Sequence, residues 1–165
     1  MDSIIIRKAK RSDAKDISDF TRINKDTMIF RSPEKIRSII GNYFIALSKE
    51  GKIAGCCGFK IYPGGDAEII SLAVAFTLRG KGIGRKLINS CLKEALRRKS
   101  VLQVMAFTNP KSVNLFKKSG FTEAGVQLFH EKILEDCKKC PRNIMKKGRY
   151  QCNETALVYI GKNIN

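Results

Sequence analysis

The sequence predicts a mixed α/β domain with one layered core, and three observations carry that prediction. Apolar residues recur either at one-turn spacing or in short continuous runs, and the two patterns alternate along the chain. The stretches between them are short turns rich in Gly, Pro, Ser and Asn, with no repeat or low-complexity segment. The 165 residues suit a single domain over 1–165, and 43% hydrophobic with 28% charged residues is too apolar for a disordered chain.

Each element has its own signal. Residues 3–8 read as a strand. Ser12 stands as N-cap of a helix whose apolar positions are Ala14, Ile17, Phe20 and Ile23. Ser32 with Pro33 starts a second helix bearing Ile36, Ile39 and Ile40. Strands at 43–48 and 52–62 are joined by Lys49-Glu50-Gly51, and Pro63-Gly64-Gly65-Asp66 leads into a third at 67–76, so these three are antiparallel neighbours. Residues 82–98 form the clearest helix, with Ile83, Leu87, Ile88, Cys91, Leu92, Ala95 and Leu96 as one stripe. A strand at 101–107, a short helix ending before Gly120, a strand at 121–126, a helix at 129–139 and a strand at 154–160 complete the order.

Composition excludes several function classes. No apolar run approaches the roughly 20 residues of a membrane span. The N-terminus lacks the pattern of a signal peptide, which leads to a cytoplasmic expectation. The outlier is charge: 32 Lys and Arg against 15 acids give +17. Such a field attracts polyanions or a phosphate-bearing cofactor, but it is also the mark of a solvated lysine-rich surface. The cations are spread along the chain and aromatic residues are only 8%, which weakens nucleic-acid binding.

Chemistry concentrates at Arg79-Gly80-Lys81-Gly82-Ile83-Gly84-Arg85, between a strand and a helix. A helix start offers unpaired N–H groups and a partial positive charge. Glycines admit a phosphate to the backbone, and Arg79, Lys81 and Arg85 add full charges, so the turn reads as a pyrophosphate cradle. It lacks the Gly-Lys-Ser/Thr of a P-loop and the acid of a dinucleotide site.

Arg79-x-x-Gly82-x-Gly84, the preceding Leu72-Ala73-Val74 and the segment from Asn109-Pro110 to Ser119-Gly120-Phe121 together resemble the GNAT acetyltransferase superfamily, over nearly the whole chain. The resemblance implies a mostly antiparallel sheet of six or seven strands, with helices on both faces and strands splayed at a cofactor cleft. It implies acetyl-CoA as donor, with the backbone of Leu72, Ala73 and Val74 along the pantetheine arm and the N–H groups from Lys81 to Arg85 on the pyrophosphate. Asn109 and Asn114 would flank the cofactor, and a neutral amine would attack the thioester directly. Many members place a Tyr acid where this chain has Phe116, which cannot donate a proton. Tyr43, Tyr62 and Tyr150 are alternatives.

Glu68 is the expected base. It shares strand parity with Ile70, Leu72 and Val74, and partial burial would raise its pKa. The competing reading is a carboxylate paired with a nearby Lys. Within the superfamily the chain looks most like the acetyltransferase domain of N-acetylglutamate synthases and related amino-acid N-acetyltransferases. Phe30-Arg31-Ser32, Glu68, Phe116 and Gly120-Phe121 carry that likeness. There Arg31 and Ser32 would bind substrate carboxylates, with capping as the alternative use of Ser32. The expected acceptor is therefore a small-molecule amine, the α-amino group of an amino acid such as glutamate. Protein N-termini or lysines are an alternative, as is a non-enzymatic acyl-CoA or nucleic-acid binding module. A homodimer is left open.

His130, Cys137, Cys140 and Cys152 form His-x6-Cys-x2-Cys-x11-Cys around the loop 141–151, a spacing open to zinc, a disulfide or unlinked thiols. No metal is assigned to the site. Cys56, Cys57 and Cys91 read as small buried hydrophobes.

Overall fold

The structure, a computed structural model, describes residues 4–23, 28–140, 142–143, 145–147, 149–150 and 152–161. The strands are β1 (Ile5–Lys8), β2 (Phe44–Leu47), β3 (Ile53–Ile61), β4 (Asp66–Val74), β5 (Gln103–Thr108), β6 (Phe121–Glu123), β7 (Met145–Lys146), β8 (Arg149–Tyr150) and β9 (Thr155–Tyr159). The helices are α1 (Ala14–Ile23), α2 (Pro33–Ser38), α3 (Ile83–Leu96), α4 (Val113–Lys118) and α5 (His130–Glu135). Seven strands form one sheet in the order β1-β2-β3-β4-β5-β9-β6. Every neighbour pair is antiparallel except β4 with β5. The expected mixed, mostly antiparallel sheet is therefore present, with helices on both faces.

The alternation of side chains along the strands divides the core. Leu87, Ile88, Cys91 and Leu92 of α3 are fully buried against Phe59, Ile69, Val104 and Ala106 on one face. Ile17 of α1 and Ile36 of α2 pack on Ile45, Cys56, Ile70 and Ala73 on the other. Met105 lies between Val104 and Ala106 in β5 and so points away from α3. It joins Tyr62, Phe129 and Ala156 in a third cluster under α5. One face is thus covered by α1 and α2 over its first strands and by α5 over its last.

Two irregularities in β4 position the site. Pairing with β5 runs from Asp66–Gln103 to Ile69–Ala106 and stops. β5 continues against β9 while β4 runs on to Val74, so the strands part. On its other side, β4 pairs Ile70 with Gly58 but Ala73 with Cys56, two residues against one. Ser71 takes up the extra residue at φ 55°, a β-bulge.

Several expectations are corrected locally. Ser12 does not cap α1; it sits inside a 3-10 turn, Arg11–Asp13, and the Asp13 carboxylate takes the Lys10 N–H at 2.6 Å. Arg7 grips the same carboxylate through both terminal nitrogens, at 2.8 and 3.0 Å. A charged acceptor satisfies an orphan donor better than a hydroxyl. Ile23 is 80% exposed, and Ser18 and Thr21 hold the buried stripe with Ala14 and Ile17. The expected 129–139 helix breaks after α5 into a 3-10 turn at Cys137–Lys139. The hairpin of β7 and β8 lies in the segment expected to be a loop; its two-residue strands leave no readable alternation. Ser3 of the first predicted strand, and Pro141 and Gln151 of the loop, lie outside the described residues.

Leu92 is fully buried between α3 and the sheet. Leu92→Ala is expected to lower the unfolding free energy by about 2–5 kcal/mol, read from the urea midpoint at constant slope. A loss below about 1 kcal/mol would contradict the packing described.

Candidate active site

The parted strands open onto the N-terminus of α3. Gly82 is the N-cap, at φ 77°, a left-handed conformation that glycine adopts without strain. The first backbone bond into the helix runs from Lys86 N to Gly82 O at 3.1 Å, so the N–H groups of Ile83, Gly84 and Arg85 precede the helical ladder. At Gly84 the constraint is packing: a Cβ would come 3.2 Å from Leu115 Cδ2 of α4. The third glycine therefore lets α3 approach α4 closely, while its backbone still lines the cleft. Arg79 turns its Nε to Val74 O at 3.0 Å, clasping the turn to the end of β4.

A cleft of about 580 Å³ lies between β4, β5, α3 and α4 and reaches the segment between α1 and α2 at Met28, Ile29 and Arg31, and Lys132 of α5. Leu72, Ala73, Val74, Arg79 and Gly80 line one wall, with Gly82, Ile83, Gly84 and Arg85 at the helix start. Asn109, Asn114 and Phe116 line the opposite wall, and Arg31 and Glu68 the far end. Of the residues singled out in the sequence, Lys81 and Ser32 do not reach the cleft. Lys81 is exposed on the turn. The Ser32 hydroxyl accepts the Lys35 N–H at 3.4 Å as the N-cap of α2, so its capping use is present.

Arg31 is held at both ends. Its carbonyl accepts the Ser18 hydroxyl at 2.8 Å, and its Nε donates to Ser71 Oγ at 3.3 Å. Ser71 in turn meets the Tyr43 hydroxyl at 2.9 Å. The bulge in β4 is what aims Ser71 at this network. It also overturns the expected parity: Glu68 and Ile70 share one face, but beyond the bulge Leu72 and Val74 pack with α3 on the other.

Glu68 is buried, with 4% of its surface exposed, but it is not alone. Its Oε1 lies 3.0 Å from Lys132 Nζ, and its Oε2 accepts from the Tyr62 hydroxyl at 2.6 Å. Pairing with a lysine thus describes its contacts, the partner being the buried Lys132 of α5. Tyr62 Oη also lies 2.6 Å from Asp136 Oδ2. Lys132 reaches the same Asp136 oxygen at 3.2 Å, and Lys60 reaches Oδ1 at 3.0 Å. Burial works against the charge of Lys132, yet Glu68 and Asp136 outweigh it and hold the ammonium pKa above its usual value. Burial also pushes Asp136 up, but Tyr62, Lys60 and Lys132 overcome it and hold the carboxyl at about 2. Tyr62 is raised well above the usual phenol range, first by burial and then by the negative charge of Glu68. None of Tyr62, Lys132 and Asp136 was assigned to this cluster from the sequence. Their separations from Glu68 in the chain carry no periodic signal, although Lys132 and Asp136 are one helical turn apart.

Phe116 is buried edge-on against Phe121, with ring centroids 5.2 Å apart, and has no proton to give. Of the alternative acids, Tyr43 is fully buried and its pKa is pushed up by that burial. The Tyr150 side chain lies outside the described residues. His130 and Cys152 are exposed, and Cys137 and Cys140 half-buried. All six cysteines are free thiols. Among the described residues no three His, Cys, Asp or Glu side chains are placed to hold a metal ion. Among the described residues, therefore, no geometry favours the zinc or the disulfide reading. No described helix is long and apolar enough to cross a membrane.

The model of the Acetyltransferase (GNAT) family matches residues 16–121. An N-acetyltransferase of Chlorobaculum tepidum, itself described as uncharacterized, is 36% identical over 155 residues, 93% of this chain and 94% of its own. Among solved structures, N-acetylglutamate synthase from Neisseria gonorrhoeae, complexed with coenzyme A and N-acetyl-glutamate, superposes with TM-score 0.77 at 22% identity. That match covers 96% of this chain but 35% of the synthase, so the present sequence spans about a third of its length. A Mycobacterium tuberculosis protein in complex with CoA superposes with TM-score 0.74 at 19% identity, covering 94% and 98% of the two chains. The matched region takes in β4, the glycine turn, α3 and the parted strands, and on that basis the chain belongs to the Acetyltransferase (GNAT) family and is an acetyl-CoA-dependent N-acetyltransferase.

Proposed function

We propose that the chain is one N-acetyltransferase domain that acetylates the α-amino group of a carboxylate-bearing amino acid such as glutamate. The observation that carries this reading is Arg31. It is a guanidinium fixed by Ser71 and by its own carbonyl, and it lines the same cleft as Glu68. A fixed planar fork suits a carboxylate bound bidentately. Similarity in fold to a synthase solved with N-acetyl-glutamate supports the choice of acceptor. The reading extends to a role in amino-acid metabolism in the cytoplasm.

The residues present fit the donor. β4 has no β5 partner beyond Ile69, which leaves the backbone of Leu72, Ala73 and Val74 to pair with an extended arm. The N–H groups of Ile83, Gly84 and Arg85 would hold the pyrophosphate at the start of α3. Asn109 and Asn114 would flank it. Acetyl-CoA supplies the electrophilic thioester carbon. Glu68 takes the proton that the ammonium must lose before the nitrogen can attack, directly or through one water. Lys132 at Oε1 and Tyr62 at Oε2 orient the Glu68 carboxyl for that task. A backbone N–H of β4 past the bulge would stabilise the developing oxyanion.

Thiol release from acetyl-CoA against a panel of free amino acids and short peptides tests the reading. Glu68→Gln is expected to lower kcat at least about 100-fold with the acetyl-CoA KM little changed; wild-type turnover would remove Glu68 from the mechanism. Arg31→Ala is expected to raise KM for a dicarboxylic amino acid by at least about tenfold, the cost of losing a charge-assisted hydrogen-bond pair. It should leave KM for an amine without carboxylates unchanged. Turnover on peptides and none on amino acids would overturn the acceptor.

A further inference from the structure

We propose that Tyr62 and Asp136 form the route by which the proton taken up at Glu68 leaves for solvent, with Lys132 as the residue that positions the Glu68 end. This rests on Glu68 being the base.

The argument begins with proton counting. Tyr62 Oη stands 2.6 Å from Glu68 Oε2 and 2.6 Å from Asp136 Oδ2, both in the range of a strong O–H···O⁻ bond. A phenol carries one proton and can donate to only one of them. Both short contacts are satisfied when a carboxyl carries a further proton and donates it to Tyr62 Oη, while Tyr62 donates to the other carboxylate. Glu68 protonated and Asp136 ionised is that arrangement. It is the state the cluster reaches once the base has accepted a proton.

The surroundings favour this order. Glu68 is buried, whereas the Asp136 side chain is 31% exposed and opens to water. Lys60 of β3 and Lys132 of α5 both face Asp136 and keep it ionised, so it does not retain a proton that arrives. Glu135 lies on the outer side of Lys60, and the Cys137 thiol is the next titratable group along the chain. Phe107, Phe129 and Met105 enclose the Tyr62 end in apolar surface, which keeps bulk water from short-circuiting the path. The same features make Tyr62 a poor acid for the departing thiolate. Its proton is engaged by carboxylates, and its pKa is far above that of a thiol.

The steps balance. An ammonium N–H breaks and Glu68 gains the proton. Glu68 gives its proton to Tyr62 Oη as the Tyr62 O–H proton passes to Asp136 Oδ2, leaving the phenol with one proton as before. Asp136 releases its proton to water. One proton moves from ammonium to solvent and no electrons are transferred.

The test uses the whole chain in wild type, Glu68→Gln, Tyr62→Phe, Asp136→Asn and Asp136→Glu forms. Coenzyme A binding and the melting temperature monitor folding. Tyr62→Phe and Asp136→Asn should each lower kcat at least about tenfold with KM for acetyl-CoA unchanged, and Asp136→Glu should restore most of it. The acid limb of kcat/KM separates a relay from a structural role. Tyr62→Phe removes a donor to the Glu68 carboxylate and should move the limb up by about one pH unit. Asp136→Asn removes a nearby negative charge and should move it down or leave it. Wild-type kcat in either variant, with Glu68→Gln impaired, overturns the relay and leaves the base. Wild-type kcat in Glu68→Gln overturns both. If Tyr62→Phe does not fold, Asp136→Asn decides alone, because its partly exposed side chain tolerates the change.

Discussion

The parting of β4 from β5 after the Ile69–Ala106 pair is the constraint on which the rest of the molecule depends. A parallel pair buried on both faces would normally continue its ladder, because unpaired backbone groups in the interior are costly. Here β5 goes on pairing with β9 along its far edge, and β4 is left with a partner on one side only. The unpaired edge is open because it borders the cleft, and the same divergence places the first turn of α3 beside it. Donor groups of two kinds, a strand edge and a helix start, therefore converge on one opening. That is what a long, extended, phosphate-bearing molecule requires.

The bulge at Ser71 is the second constraint, and it works by changing which face the strand presents. Before it, Glu68 and Ile70 face α1, α2 and α5; after it, Leu72 and Val74 pack with α3. One strand thus lines the Glu68 and Arg31 end of the cleft with its first half and the end beside α3 with its second. The bulge also sends the Ser71 hydroxyl to Tyr43 and Arg31, so the guanidinium is fixed by the same backbone distortion that re-aims the strand. Positive φ at a non-glycine residue stores strain, and such strain tends to sit at functional sites.

The buried polar cluster beneath α5 explains how a carboxylate can sit almost fully enclosed. Ionised Glu68 without partners would be expelled or neutralised. Lys132 and Tyr62 satisfy it, and Asp136 satisfies them in turn, so the charges are compensated inside an apolar shell of Phe107, Phe129 and Met105. The helix that supplies Lys132 and Asp136 comes from the last third of the chain, beyond the residues matched by the family model. A general scaffold is thereby joined to a local arrangement around the acceptor end.

The sequence by itself determined most of the element order, the antiparallel run of β2, β3 and β4, and the buried face of α3. Those depend on local signals: the one-turn spacing from Ile83 to Ala95, Ser32 before Pro33, and glycines at the start of α3 where left-handed backbone is needed. Glu68 stood out as the one acid inside an apolar strand, and Arg31 was singled out by the resemblance to amino-acid N-acetyltransferases; both line the cleft. The sequence misjudged Ser12 and Ile23, where the winning arrangement — Asp13 with Arg7, a turn of α1 facing solvent — depends on packing. Only the tertiary structure decided the parity of β4, since a bulge is one residue of register between two strands and has no signature within one. Only it brought Lys132 and Asp136 to Glu68, because hydrogen bonds and ion pairs form between positions that are close in space, and these residues are more than sixty positions away in the chain; Tyr62, six residues away, reaches Glu68 across the β3–β4 turn.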